Sequence, residues 1–205
     1  MDIDKSVSKD SCDARVIRPA RCEADSLSSG IFTARCFDKD GKLKWEDTAK
    51  NVVTDLGANY KLNQCFGGAQ NTAYYLGLIS SVGYTGIPAV GDTMTIASHS
   101  ARWVEAGNGT AYPNWSTPAS NARGTCVWSA AAARAKALSA ALSFVIATNG
   151  GTIKGCFIVT GPGAVATNNS QNGTLYSAGV FTGGDKVVEI GDTLQVSYST
   201  TDAAA

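Results

Sequence analysis

The chain contains a single histidine, His99, which lies between Ser98 and Ser100. A serine and a histidine can act as nucleophile and general base, but a catalytic triad is assembled by the fold from residues that are separate in the sequence. Hydroxyl groups on either side of the imidazole along the chain do not provide that arrangement. The pattern therefore favours a loop histidine without a catalytic role.

Glu105, close to Trp103, is the one carboxylate whose neighbours suggest sugar chemistry. A glycoside hydrolase needs a second carboxylate on the other side of the scissile bond. The remaining acidic residues are scattered, and no pattern places one opposite Glu105. We therefore interpret the chain as a structural or binding protein rather than an enzyme, with a carbohydrate-active enzyme that depends on Glu105 as a minor alternative.

The sequence also lacks the patterns of a metal site, and we expect no metal and no cofactor. Residues 38–41 (Asp-Lys-Asp-Gly) lack the later oxygen ligands and the terminal glutamate of a calcium loop, so a turn is favoured. The cysteines form no CxxC pair. The N-terminus has no apolar signal segment, so we expect mostly free, buried thiols. The cysteines are Cys12, Cys22, Cys36, Cys65, Cys126 and Cys156.

The composition argues against two classes of partner. The 17 basic and 17 acidic residues give a formal net charge of zero, so no long-range field draws the chain to nucleic acid or to an anionic membrane. No segment approaches the roughly eighteen continuous apolar residues that span a bilayer. Charged residues make up only 17% of the chain, which indicates either extensive interfaces or a surface of neutral polar groups.

The sequence divides near residue 28. Residues 1–28 are polar, mixed in charge and without hydrophobic periodicity, which predicts an N-terminal arm. Arg15, Arg18 and Arg21 recur in it at three-residue spacing. The arm is either a solvated tail or a segment that becomes ordered against a partner, and we favour the second. Residues 29–205 are predicted to form one β-sandwich domain.

The domain is predicted to begin with a hairpin and a single helix. Residues 31–45 have a strand–turn–strand pattern around an Asp-Gly turn. Residues 54–66 are predicted to be helical, with Thr54 as the N-cap, Asp55 in the first turn and Gly67 as the left-handed C-cap. The predicted apolar face of the helix comprises Val53, Leu56, Tyr60 and residues 62–66.

The rest of the domain is predicted as short strands between turns rich in Gly and Asn, which indicates a mainly β, antiparallel β-sandwich or jelly-roll-like fold. Residues 129–138 are ambiguous because their alanines favour a helix. We predict strand and loop over 126–136 and a strand over 138–147. Residues 91–94 and 191–194 share a Gly-Asp-Thr-apolar pattern, which predicts a tight turn closed by the Asp side chain. Further strands are predicted at 74–79, 153–159, 174–181 and 193–198.

Five motifs follow one another along the chain: KNVVTDLGANY at 50–60, YLGLI at 75–79, GDTMTIASH at 91–99, WVE at 103–105 and GDTLQVSY at 191–198. Their order resembles a family of small virion proteins of tailed bacteriophages that are encoded with the head genes. The resemblance extends over roughly residues 30–200, and none of its motifs is catalytic.

The resemblance implies a capsid decoration or cement protein, made in the host cytoplasm and located on the capsid surface of the virion. Its expected partner is the major capsid protein, and the expected state is a symmetric homo-oligomer. The alternative is a fibre or receptor-binding module of the head or tail that recognises host glycans. The candidate contact residues are Arg15, Arg18 and Arg21 in the arm, and Trp103, Tyr112 and Trp115 in the long loops.

Overall fold

The structure, a computed structural model of the chain, describes residues 28–66, 73–94, 102–108 and 112–202. Within these ranges the protein is mainly β and antiparallel with one helix, α1 at Asp55–Phe66, so the predicted fold class is confirmed. The arm up to residue 27, His99 and Gly67 lie outside the described residues. The strands are β1 Ser28–Phe37, β2 Leu43–Val53, β3 Tyr75–Ser80, β4 Trp115–Thr117, β5 Gly124–Thr125, β6 Ala135–Ala137, β7 Leu142–Ile146, β8 Gly151–Thr160, β9 Thr174–Phe181, β10 Lys186–Val188 and β11 Thr193–Asp202.

These strands form one sheet in the order β4-β7-β11-β1-β2-β9-β8-β3-β5, while β10 pairs with β8 and β6 pairs with β11. The sheet curls into a half-barrel. Its two end strands, β4 and β5, are joined by residues 118–123, so the two edges of the sheet lie close to each other. The curled sheet is consistent with the jelly-roll-like expectation, although the strand pairing does not divide it into two packed sheets.

The inner face of the sheet carries the main core. A pleated strand points successive side chains to opposite faces. In β1, Phe32, Ala34 and Cys36 are accordingly 0% exposed, and β11 buries every second residue from 194 to 198 in the same way. These alternating sets meet in one cluster, because β1 and β11 are hydrogen-bonded neighbours.

Strand β8 is buried on both faces. Cys156 and Ile158 belong to the main core, whereas Phe157 packs in a second cluster on the outer face. This second cluster includes Met94 and Trp103, which come from the long segment between β3 and β4. Loop segments therefore cover part of the outer face and give the sheet a second, smaller core.

Helix α1 is anchored to β9 through its first turn. Thr54 accepts a hydrogen bond from Gly57 N at 3.0 Å, which confirms its predicted role as the N-cap. The Thr54 hydroxyl also donates to the carbonyl of Leu175 in β9. The predicted apolar face is only partly correct, because Leu56 and Leu62 are 46% and 54% exposed.

Asp side chains close the predicted turns by accepting hydrogen bonds from backbone N–H groups. Asp38 Oδ1 accepts hydrogen bonds from the backbone N–H groups of Asp40 and Lys42, both at 2.9 Å, in the β1–β2 turn. In the repeated motif, Asp192 Oδ2 accepts from Glu189 N at 2.8 Å. The corresponding atom of Asp92 accepts from Ala89 N at 2.9 Å. The repeated turn is therefore confirmed at both positions, and β11 begins directly after the second one.

The alanine-rich segment at 129–138 is a hairpin and not a helix, which agrees with the strand and loop predicted over 126–136. The strand predicted over 138–147 is shorter than expected and comprises Leu142–Ile146. Ser129 N donates to Ala137 O at 2.9 Å, and Ala132 bridges Ala135. The two residues at its tip, Ala133 and Arg134, have φ values of 48° and 60°. This left-handed conformation costs about 1–2 kcal/mol for each non-glycine residue. The pairing of β6 with β11 offsets that cost and overrides the helix propensity of the alanines.

Replacing Gly57 by Ala tests the contact between helix and sheet. At a solvent-exposed position within a helix, a change from Gly to Ala stabilises the protein by about 1 kcal/mol. Here the added Cβ would lie 2.3 Å from Tyr176 O, so we expect a destabilisation of about 1–3 kcal/mol in urea unfolding. Gly86→Ala is the control, because no atom lies within 4 Å of its Cβ position, and it should change stability by less than about 0.5 kcal/mol. A Gly57→Ala protein that is more stable than the parent would contradict the contact.

Candidate interaction surfaces

A buried ion pair joins Glu105 and Arg123, whose side chains are both 0% exposed. Arg123 Nε donates to Glu105 Oε1 at 2.8 Å and Arg123 Nη2 to Oε2 at 2.7 Å, a bidentate geometry. The guanidinium also donates to the carbonyls of Val165 and Ser170, and Asn169 N donates to Glu105 Oε2 at 2.8 Å. The ion pair therefore fixes residues 165–170 over the outer face of the sheet.

This arrangement argues against Glu105 as a catalytic acid. Burial raises the pKa of the Glu105 carboxyl, while Arg123 and the Asn169 N–H act in the opposite direction. A raised carboxyl pKa is common in active sites, but a general acid must also reach its substrate. Both oxygens of Glu105 accept hydrogen bonds and neither is exposed, so a substrate in solvent does not reach them in this structure. Sequence analysis missed Arg123 because no local pattern links it to a residue eighteen positions earlier.

The structure corrects two of the predicted contact residues. Trp103 is 0% and Trp115 1% exposed, so both belong to the core and cannot contact a partner. The Trp115 indole N–H donates to Ala122 O at 2.8 Å, within the connection between β4 and β5. Tyr112 is 38% exposed and stays available for a contact. The remaining candidates, Arg15, Arg18 and Arg21, lie outside the described residues.

Exposed aliphatic side chains lie where the β1–β2 turn meets the segment from β10 to β11. Leu43, Val187 and Ile190 are 48%, 57% and 62% exposed, and we call these three residues the aliphatic end. The segments that carry them are adjacent, because the Trp45 indole N–H donates to Val187 O at 2.9 Å and Lys44 pairs with Glu189. Exposed apolar side chains that cluster within a polar rim are typical of protein interaction sites.

Ion pairs brace the aliphatic end. Lys44 Nζ lies 2.8 Å from Glu189 Oε2 and 2.7 Å from Asp192 Oδ2, and these hydrogen bonds raise the pKa of Lys44. Asp192 also closes the repeated turn and accepts a hydrogen bond from the Cys36 thiol at 3.6 Å. These hydrogen bonds therefore fix the backbone on both sides of Ile190. The surface is preorganised and would need little rearrangement to bind a partner.

A groove of about 820 Å³ lies at the other end of strand β1. It is bounded by helix α1, the hairpin at 126–137 and the last residues of β11. Asp202 lines it and pairs with Ser28, the first described residue of the chain. We call this cavity the helix groove and define it by Lys61, Cys65, Val127, Trp128, Arg134 and Lys136.

The helix groove combines an apolar wall with a basic rim. Val127 is 64% exposed, although it sits beside the aromatic side chain of Trp128. Lys61 pairs with Asp202 at the rim. Within the described part of the chain, neither Arg134 nor Lys136 pairs with an acidic side chain. The rim therefore favours a ligand that carries both apolar and acidic groups.

The cysteines divide into buried and exposed thiols. Cys36, Cys126 and Cys156 are free and buried as predicted, and burial raises the pKa of Cys126 to about 12. Cys65 is free but exposed, so its predicted burial is wrong. The reason is its position at the end of α1, where the helix faces the groove rather than the core.

The described residues contain no group of three His, Cys, Asp or Glu side chains that could hold a metal ion. Their one helix is not long and apolar enough to cross a membrane.

Comparison with protein-family models gives no match, and comparison with curated protein sequences gives no relative.

Removing Arg123 tests the ion pair. Arg123→Met leaves a buried carboxylate without its partner, and we expect a loss of about 3–5 kcal/mol in the free energy of unfolding. Arg35→Met is the matched control, because the Arg35–Glu46 pair is 55% and 42% exposed and should cost less than about 1 kcal/mol.

The double variant Glu105→Leu/Arg123→Met separates charge from packing. Replacing both partners of a buried pair by apolar groups is often nearly neutral, so it should recover most of the loss. Equal unfolding midpoints for Arg123→Met and Arg35→Met would contradict the importance assigned to the buried pair.

Proposed function

We propose that the chain is a structural protein of a tailed bacteriophage particle that decorates or cements the capsid by binding the major capsid protein. The observation that carries the proposal is the aliphatic end, with Leu43, Val187 and Ile190 exposed on turns that ion pairs hold in place. The resemblance of the motif order to small head-gene virion proteins supports the same function.

The form of the protein suits attachment to a repeated shell. Strand β1 has ten residues and is therefore about 33 Å long, with the aliphatic end at Phe37 and the helix groove at Ser28. A decoration protein needs a rigid body that presents one end to the shell. The long strands, and the core side chains packed on both faces of β8, provide that rigidity, and it does not require a cofactor.

The glycan-binding alternative loses its main support. Aromatic side chains that stack on sugars have to be exposed, but Trp103 and Trp115 are buried. The conspicuous exposed side chains are aliphatic instead, and aliphatic groups suit a contact between proteins better than a contact with a hydroxylated sugar. The surface chemistry therefore favours a contact with another protein, such as the proposed contact with the shell, over recognition of a glycan.

Sedimentation with capsids that lack this chain tests the proposal. The parent protein should sediment with the capsids to a saturating copy number. The double variant Val187→Glu/Ile190→Glu places two charges in the apolar contact, and its affinity should fall by at least about tenfold.

Leu62→Glu is the control, because Leu62 is 54% exposed but lies on helix α1, away from the aliphatic end. It should bind as the parent does. Equal binding by the double variant and the parent would show that the aliphatic end is not the contact. Absence of binding by the parent itself would refute the proposed function.

A further inference from the structure

We propose that residues 1–13 of the chain bind in the helix groove of the same molecule. This inference goes beyond the proposed function and does not depend on it, because it concerns the free protein. It rests on where the described chain begins, on the composition of the preceding residues and on the chemistry of the groove.

The position of the chain entry supports an intramolecular contact. Ser28 pairs with Asp202, and Asp202 lines the groove, so the described part of the chain begins beside the groove. Residues 14–27 then connect Ser28 to the proposed ligand. Fourteen residues can span at most about 48 Å, so this connection can reach any part of the groove. Such a short tether gives an effective concentration in the millimolar range, and a weak contact is enough for occupancy.

The composition of residues 1–13 complements the groove. The segment contains four acidic and two basic side chains, together with the apolar residues Met1, Ile3 and Val7. The groove offers the cations of Arg134 and Lys136 at its rim and the exposed side chain of Val127 on its wall. Acidic and apolar groups can therefore bind at the same time.

The conformation at the tip of the hairpin, which the pairing of β6 with β11 holds in place, is consistent with a binding role. A turn with two left-handed residues is usually built with Asn and Gly, but this turn has Ala133 and Arg134 at φ values of 48° and 60°. Glycine at position 134 would relieve the strain and remove the cation. Non-glycine residues in this conformation persist where the surroundings hold them, commonly at binding sites. Binding of an acidic segment by the Arg134 cation would account for an arginine at this position.

Crosslinking of native thiols in the full-length protein tests the contact. Cys65 is the exposed thiol in the groove, and Cys12 is within the proposed ligand. A short bismaleimide, applied to dilute protein, should join Cys12 to Cys65 within one chain. Cys22 is the internal control, because it is nearer to Ser28 and would react with Cys65 more readily than Cys12 if the arm did not bind. The products are identified by peptide mass spectrometry and by their size on a denaturing gel.

Charge variants distinguish binding from chance encounters. Arg134→Glu/Lys136→Glu should lower the Cys12–Cys65 yield by about fivefold, because two ion pairs become repulsive contacts. Adding Asp2→Lys/Asp4→Lys should restore most of that yield. Lys42→Glu is the matched control at the far end of β1 and should change nothing. The circular dichroism of each variant shows whether it is folded. If Arg134→Glu/Lys136→Glu is unfolded, Arg134→Gln is used in its place.

Two results would overturn the inference. A Cys12–Cys65 product that runs only as a dimer would mean that the groove binds the arm of a second copy. A Cys22–Cys65 product in excess over Cys12–Cys65, with yields that the charge variants do not alter, would mean that residues 1–13 do not bind in the groove. Because the experiment contains no capsids, either result leaves the proposed shell contact to be judged separately.

Discussion

The buried ion pair between Glu105 and Arg123 is the interaction on which the rest of the structure depends. Glu105 bridges Ile79 at the end of β3, and Arg123 directly precedes β5. Their contact therefore ties the loop that covers the outer face to the connection that joins the two ends of the sheet. Bonds from Arg123 to the carbonyls of Val165 and Ser170 add the loop between β8 and β9.

Such a pair is costly to bury and is effective only when its geometry is complete. Here both oxygens of Glu105 accept hydrogen bonds, and the guanidinium carbon lies 5.4 Å from the centre of the Phe157 ring. The pair thus lies against the second core and stabilises the loops that enclose it. We infer that it determines which loops cover the sheet and, through them, the shape of the body that carries the two surfaces.

The two surfaces lie at opposite ends of β1 and differ in chemistry. The aliphatic end is apolar and braced by Lys44, Glu189 and Asp192, whereas the helix groove has a basic rim and adjoins the start of the described chain. Because the two surfaces are separated by the length of β1, we expect a substitution at one of them to leave binding at the other unchanged.

Local patterns in the sequence predicted most of the elements. The Asp-Gly hairpin, the Thr54 cap and the repeated Gly-Asp-Thr turns are formed by neighbouring residues, so their signals are complete within a few positions. The strand and loop predicted over 126–136 also agree with the structure, although the alanines favour a helix. The hairpin that these residues form, and its pairing with β11, were not predicted because they depend on a strand far away in the sequence.

The site required information that only the fold supplies. Arg123 and Glu105 come from different loops, and no spacing rule joins them. Trp103 and Trp115 lie in a loop-rich stretch with prolines, which suggested exposure, but the loops fold over the sheet and bury both side chains. Leu62 and Cys65 were predicted to be buried from their apolar neighbours. Both are exposed because α1 packs on β9 through Gly57, which leaves Leu62 and Cys65 away from the core.

The measurement that tests the proposed function most directly is the copy number of this chain in purified particles of the bacteriophage proposed to carry it. Quantitative mass spectrometry gives the ratio of this chain to the major capsid protein. A ratio in which the two are comparable is the result expected for a protein that decorates the shell. Absence of the chain from the particles, or a few copies in each, would contradict that function.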